Sequence, residues 1–152
     1  MDARPSATVA AVIERGGQFL LVEEEDDGRI LFNQPAGHLE PNESLLEGCA
    51  REVLEESAWN FRPRELVGIY RWSKPASVSA AGVTYLRFAF CGELGQHEPG
   101  RRLDTGIVRA VWLRPEEIRA SRERHRSPLV LRCMEDYLAG RRYPLEILSE
   151  HA

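Results

Sequence analysis

The chain has 152 residues, of which 43% are hydrophobic and 29% are charged, so its composition is that of a globular protein rather than a disordered one. Its length favours a single domain. The formal net charge is −4, and Lys74 is the only lysine. A Walker-type phosphate loop needs a Gly-Lys pair, which this chain lacks, and the net negative charge argues against nucleic acid as a partner.

The cysteines indicate a reducing compartment. Cys49, Cys91 and Cys133 are odd in number and widely separated, which favours neither a disulfide framework nor a zinc site. Residues 1–6 lack the apolar core of a leader peptide, and no apolar run approaches the roughly 18 residues that span a bilayer. We therefore expect a cytoplasmic protein with no membrane partner.

The first predicted elements are strands. Two β-rich runs, Thr8–Arg15 and Gln18–Glu24, flank a Gly-Gly pair, and this pattern predicts a hairpin. The acidic run Glu23–Asp27 ends in an Asp-Gly turn that leads to a short strand at Arg29–Asn33. We interpret the acidic run as a solvated loop at this turn.

Ser44–Ser57 is predicted as the clearest helix. Ser44 and Glu47 have the spacing of a capping box, which places the first helical turn at Leu45. A core-facing stripe falls within one arc of the helix and comprises Leu46, Cys49, Ala50, Val53 and Ser57.

Strands return in the second half of the chain, at Glu65–Trp72, Val83–Leu94 and Ile107–Leu113. Two further helices are expected at Pro115–Ala120 and Ser127–Ala139. Strands outnumber helices, and a helix separates blocks of strand. The predicted class is therefore α/β, with a mixed, curved sheet and flanking helices.

One helical face carries the chemistry. Glu52, Glu55 and Glu56 stand at i, i+3 and i+4, so their carboxylates share one side of the predicted helix. Carboxylates this close repel one another unless a cation compensates them. Mg²⁺ prefers such oxygen ligands and commonly bridges to substrate phosphates. A solvated acidic face would be the alternative if these three residues stood alone.

The carboxylates belong to a longer string that resembles the Nudix box, G-x5-E-x7-R-E-U-x-E-E-x-G-U, where U is aliphatic. The matching positions are Gly37, Glu43, Arg51, Glu52, Val53, Glu55 and Glu56. Ala58 and Trp59 stand where the family has glycine and an aliphatic residue. A left-handed helix exit at Ala58 would cost about 1–2 kcal/mol. Either Ala58 carries this strain or the exit is rerouted through Asn60.

The resemblance implies the Nudix α/β/α sandwich and Mg²⁺-dependent hydrolysis of phosphoanhydride bonds, with Mn²⁺ as a possible substitute. Flanking strings, including Asn33–Glu40 and Arg142–Glu146, resemble a phosphatase branch of this family. That branch acts on nucleoside di- and triphosphates and on hydroxymethylpyrimidine pyrophosphate. The protein is then expected to be a monomer or homodimer acting on a small molecule.

Two other functions stay open. One is a pyrophosphatase for ADP-ribose or another nucleoside-diphosphate sugar, for which Pro75 is a weak indication. The other is a non-catalytic nucleotide-binding module. Such modules usually lose box carboxylates, and this chain keeps them all.

The resemblance also implies roles for residues of the box. Glu52, Glu55 and Arg51 are expected to act in catalysis, with Glu52 accepting a proton from the attacking water and Arg51 paired with Glu43. The expected metal ligands are Gly37 through its carbonyl, Glu52, Glu55, Glu56 and a distant acid, for which we prefer Asp104 to Glu98.

Residues outside the box provide the candidate substrate contacts. They offer an aromatic stacking surface and guanidinium groups that pair with phosphates, and they are Gln34, Arg71, Trp72, Tyr85 and Arg87. His38 adjoins the box without a second histidine at ligand spacing, which favours a structural hydrogen-bonding role.

Overall fold

The structure is a computed structural model, and it describes residues 4–78 and 80–151. Its strands are β1 Ser6–Ala11, β2 Glu14–Arg15, β3 Gln18–Asp26, β4 Arg29–Asn33, β5 Ala36–His38, β6 Trp59–Lys74, β7 Val83–His97, β8 Ile107–Leu113 and β9 Tyr143–Pro144. Its α-helices are α1 Leu45–Ser57, α2 Pro115–Ala120 and α3 Leu129–Leu138, and short 3-10 turns cover Arg122–Arg124 and Leu145–Ile147.

The strands form two sheets. One has the order β5-β1-β7-β6-β9, in which β1 runs parallel to β7 and the other neighbours are antiparallel. In the other, β3 pairs antiparallel with β2, β4 and β8. The predicted α/β class is confirmed.

Alternating residues of β1 contact two separate cores, which explains the layered arrangement. Ala10 belongs to a core that includes Cys133 of α3. Val9 belongs to a second core that includes Val53 of α1. β1 is thus buried on both faces, with α1 and α3 packed into different layers. Within the described ranges, no helix is long and apolar enough to cross a membrane.

The acidic run is not the solvated loop that we expected. Its first four residues, Glu23–Asp26, continue β3. Glu23 is only 7% exposed, and Arg109 and Arg124 each donate to one of its carboxylate oxygens. Because these arginines come from later parts of the chain, local composition gave no sign that the charge is neutralised. The turn itself lies at Asp27 and Gly28, both with positive φ.

Helix α1 begins as predicted. Both capping-box bonds are present, from the Glu47 amide to the Ser44 hydroxyl and from the Ser44 amide to the Glu47 carboxylate. The helix ends at Ala58, which is left-handed with φ 63° and ψ 18°, so rerouting through Asn60 is wrong. Asn60 lies instead in β6, which begins at Trp59 and is longer than predicted.

The buried face of α1 is displaced from the predicted stripe. Leu46 and Ala50 are only half-buried. The buried positions are Gly48, Cys49, Glu52, Val53, Glu56 and Ser57. Two carboxylates of the acidic face are therefore inside the protein, which excludes a merely solvated face.

Candidate active site

Strand β5 lies directly against two carboxylates of α1. The Ala36 amide donates to Glu56 Oε1 at 2.9 Å. A Cβ at Gly37 would overlap the Glu52 carboxylate, so only glycine leaves room for that group. This contact fixes the box glycine against the box helix.

Glu52, Glu55 and Asp104 form an acidic cluster, which we call the carboxylate triad. One carboxylate oxygen from each lies within 4.8 Å of the others. The Asp104 amide donates to the Glu55 carbonyl at 2.9 Å, which holds this distant loop against α1. Glu98 lies elsewhere, since its carboxylate accepts from Asn60 Nδ2 at 2.8 Å. Of the two candidate distant acids, the structure brings Asp104 to the box.

Arg51 joins most of the box carboxylates. It donates to both oxygens of Glu43, at 2.6 and 2.9 Å. Its Nη1 donates to Glu52 at 3.1 Å and to Glu55 at 2.9 Å, and Nη2 donates to the His38 carbonyl. The Arg51 hydrogen bond is the main reason that the pKa of Glu43 is lowered. Arg51 therefore positions and partly neutralises the box carboxylates.

Burial changes the protonation of Glu52 and Glu56, the two buried glutamates of the box. Burial raises the pKa of Glu52 to about 7; Arg51 opposes this rise, and the nearby Glu55 and Asp104 add to it. Burial also raises the pKa of Glu56 to about 9, with the bond from Ala36 opposing and Glu24 adding to the rise. Without a cation, the site therefore holds protons at neutral pH. Hard oxygen donors that repel one another in a partly buried site fit a divalent cation.

The carboxylates open into a cleft of about 290 Å³. Gly37, Glu52 and Glu56 line it from the box side. Trp72 and Tyr85 line it from the sheet, as a cross-strand pair with ring centroids 5.8 Å apart and planes at 13°. A parallel aromatic pair of this kind offers a surface on which a planar ring can stack.

The structure separates the predicted substrate residues into two groups. Trp72, Tyr85 and Arg87 line the cleft. Gln34 does not, because it is 2% exposed and bonded to Arg87 and to the Val130 carbonyl. Arg71 also lies outside the cleft lining; it is exposed and contacts Ser73. Neighbouring residues of β6 point to opposite faces, so Arg71 and Trp72 cannot share one side of the sheet.

Several residues that line the cleft were missed in the sequence. Lys74 could have been found, since it lies two residues from Trp72 on the same face of β6. Thr8 could also have been inferred once β1 was paired with β7, where it lies opposite Arg87. Arg126 and Ser127 come from the turn before α3; they lie in another flanking string that resembles the phosphatase branch, but its sequence assigns neither residue to a site. His38 lines the cleft as well, with its ring 6.3 Å from that of Tyr85.

A layered α/β sandwich with a glutamate-rich helix facing a cleft is typical of a class of hydrolases. Comparison with known proteins supports the assignment of this chain to that class. The NUDIX domain model matches residues 3–133, and the chain belongs to this family. It is a Nudix hydrolase. Enzymes of this family generally use divalent metal ions, and the carboxylate triad provides suitable ligands.

Particular relatives support this assignment. The chain is 40% identical over 147 residues to the phosphatase NudJ of Escherichia coli K12, covering 97% of this chain and 92% of that one. It is 54% identical to a NUDIX hydrolase from Nitrosomonas europaea, with a TM-score of 0.90 and coverage of 97% and 98%. A MutT protein from Methanosarcina mazei, at 23% identity and a TM-score of 0.69 over 92% and 97%, shares the fold.

Proposed function

We propose that this protein is a Mg²⁺-dependent phosphatase that cleaves phosphoanhydride bonds of nucleoside di- and triphosphates or of hydroxymethylpyrimidine pyrophosphate. The observation that carries the proposal is the cleft itself, with the box carboxylates on one side and the parallel Trp72–Tyr85 pair on the other. Similarity to the phosphatase NudJ along nearly the whole chain supports phosphatase activity.

The metal ligands in this proposal are oxygen donors that the fold brings to the cleft or to its edge: the Gly37 carbonyl and the carboxylates of Glu52, Glu55, Glu56 and Asp104. Bound Mg²⁺ would neutralise the diphosphate and make phosphorus more open to attack by water.

Glu52 is the proposed general base. Without a cation its pKa is about 7, and bound Mg²⁺ would lower that pKa, which would keep the carboxylate unprotonated and able to accept a proton from water. Its carboxylate is held between Gly37 and Arg51, so its orientation is fixed before substrate binds. Arg51 and Glu55 complete the catalytic group, with Arg51 orienting both glutamates.

The Trp72–Tyr85 pair would hold the organic part of the substrate. Stacking is tolerant of ring identity, which suits an enzyme acting on nucleosides with different bases or on a pyrimidine. The box carboxylates and the aromatic pair lie in the same cleft, so one ligand can place its phosphates and its ring there together.

The test is a product analysis with Mg²⁺ on nucleoside di- and triphosphates, hydroxymethylpyrimidine pyrophosphate and ADP-ribose. We expect inorganic phosphate from the first three. AMP and ribose phosphate from ADP-ribose, without phosphate from the others, would support the sugar-pyrophosphatase alternative instead. Binding of every compound without any hydrolysis would overturn the proposal.

Asp104→Asn and Glu98→Gln provide a matched pair in this assay. Both remove one acid, but only Asp104 belongs to the carboxylate triad. We expect a loss of turnover in Asp104→Asn and near-normal turnover in Glu98→Gln. Equal turnover in the two variants would remove Asp104 from the site.

A further inference from the structure

Arg87 is a buried cation without a buried anion. It is 6% exposed, yet the structure shows no carboxylate within ion-pair distance of it in residues 4–78 and 80–151. Its hydrogen bonds go to three uncharged groups: Gln34 Oε1 at 2.9 Å, Asn33 Oδ1 at 3.0 Å and Cys133 Sγ at 3.8 Å. Burial of a charge without a counter-ion is costly, so a ligand that supplies the anion would be favoured here.

The hydrogen bonds leave one edge of the guanidinium unused. Nη1 donates both of its hydrogens, to Gln34 and Cys133, and Nη2 donates one, to Asn33. Among the described residues, no acceptor is found for Nε–H or for the second hydrogen of Nη2. Nε–H and one hydrogen of Nη2 share an edge of the planar group, and such a pair matches two oxygens of a phosphate. Arg87 lines the cleft, so a ligand can reach it.

Asn33 and Gln34 hold the guanidinium without cancelling its charge. Gln34 donates through Nε2 to the Val130 carbonyl at 2.8 Å, which fixes its carbonyl oxygen toward Arg87. Asn33 is 8% exposed and lies at the end of β4. An aspartate or glutamate at either position would form an internal ion pair and satisfy Arg87 before substrate arrives.

We propose that the free edge of Arg87 binds a phosphate group of the substrate, and that Asn33 and Gln34 are positioning residues whose neutrality keeps this edge charged and free. The inference rests on the proposed function for the identity of the ligand. It gives Gln34 a different role from the direct substrate contact expected from the sequence.

Asn33→Asp tests the inference with almost no change of shape. Its new carboxylate would stand where the amide oxygen already lies 3.0 Å from Arg87. We expect binding of inorganic phosphate, followed by ³¹P NMR titration, to weaken by about tenfold or more, because an internal ion pair replaces the charge-assisted bond to the ligand. KM should rise by a similar factor while kcat changes by less than about threefold, since the box carboxylates are untouched.

Gln96→Glu is the matched control, since it adds the same charge at an exposed position of β7 outside the cleft lining. We expect its phosphate affinity and KM to stay within about twofold of wild type. Arg87→Lys is a second test, because lysine keeps the charge but loses the two-donor edge. It should also weaken phosphate binding.

The titration is run both in chelator and with Mg²⁺, so that failure of the inference differs from failure of the proposed function. The Arg87 contribution should appear in both conditions. Unchanged phosphate affinity in Asn33→Asp or Arg87→Lys, or absence of phosphate binding by the wild type in both conditions, would overturn the inference. Intact phosphate binding without turnover on any tested substrate would instead overturn the proposed function.

Discussion

Replacing Glu56 with glutamine removes one carboxyl from the cleft at nearly constant volume and keeps the oxygen that accepts from the Ala36 amide. Burial raises the pKa of Glu56 from 4.5 to about 9, so in the metal-free protein the group is protonated at neutral pH. Glutamine resembles that protonated form. Because glutamine, unlike glutamate, has no proton to lose in the unfolded chain, we expect metal-free Glu56→Gln to be more stable than wild type at neutral pH.

The pH dependence of stability follows from the same shift. Between pH 4.5 and about 9, folded Glu56 holds a proton that the unfolded chain has lost. The free energy of unfolding of the metal-free protein therefore falls as pH rises through this range. The dependence should be weaker in Glu56→Gln, because glutamine does not titrate.

Divalent cation should stabilise wild type more than Glu56→Gln. A cation at 100 times its dissociation constant stabilises the native state by about 2.7 kcal/mol if it binds only that state. For a chain of this length, that corresponds to a rise in Tm of about 5–10 °C. Glu56→Gln should lose most of the rise and at least about 10²-fold in kcat. Because binding must displace protons from Glu52 and Glu56, Mg²⁺ affinity should increase with pH.

The assay is a thermal melt followed by circular dichroism, with Mg²⁺ titrated into chelator-treated protein at about pH 6 and about pH 9. Glu98→Gln is the control, since it removes an acid that lies outside the carboxylate triad. An equal Mg²⁺-induced rise in Tm for wild type and Glu56→Gln would refute the reasoning. So would a wild-type Tm that Mg²⁺ does not change.

Three further substitutions probe the site and its helix. Gly37→Ala should lower kcat at least about tenfold, because its Cβ displaces the Glu52 carboxylate. Gly100→Ala should leave kcat unchanged, because a Cβ there meets nothing within 4 Å. Equal kcat values in the two variants would contradict this prediction. Trp72→Ala should raise KM at least about fivefold through lost stacking, whereas Arg71→Ala should change KM less than about twofold. A larger rise in KM for Arg71→Ala than for Trp72→Ala in steady-state kinetics would contradict the cleft assignment. Ala58→Gly relieves left-handed strain of about 1–2 kcal/mol but loses a buried methyl worth about 0.8 kcal/mol and gains unfolded-state entropy. Its free energy of unfolding in urea should therefore differ from wild type by less than about 1 kcal/mol, and a larger change would show that one of these terms is misjudged.

The box helix is the part of the site that could be predicted best. Its start is determined by the Ser44–Glu47 capping box, and the i, i+3, i+4 spacing places Glu52, Glu55 and Glu56 together whatever surrounds them. Local rules of this kind act over one or two helical turns, so the sequence contains all that is needed. For the distant acid, the sequence could only narrow the prediction to Asp104 or Glu98, because the path of a loop depends on the whole fold.

Contacts between distant segments account for what the sequence did not reveal. Glu23 looked solvated because the arginines that neutralise it lie 86 and 101 residues away. Gln34 looked like a substrate contact because its partners, Arg87 and Val130, come from β7 and α3. The buried face of α1 differs from the predicted stripe because Glu52 and Glu56 are buried against β5. A stripe chosen for its hydrophobic residues necessarily leaves charged residues on the exposed side.

The measurement that most directly tests the central claim is phosphate release from a nucleoside triphosphate by wild type and Glu52→Gln, with and without Mg²⁺. If Glu52 and its neighbours form a metal-dependent hydrolytic site, wild-type release requires Mg²⁺, and Glu52→Gln lowers it by at least about 10²-fold while Glu98→Gln does not. Release by the wild type in chelator at the same rate as in Mg²⁺, or undiminished release by Glu52→Gln, would contradict the claim that these carboxylates perform the reaction.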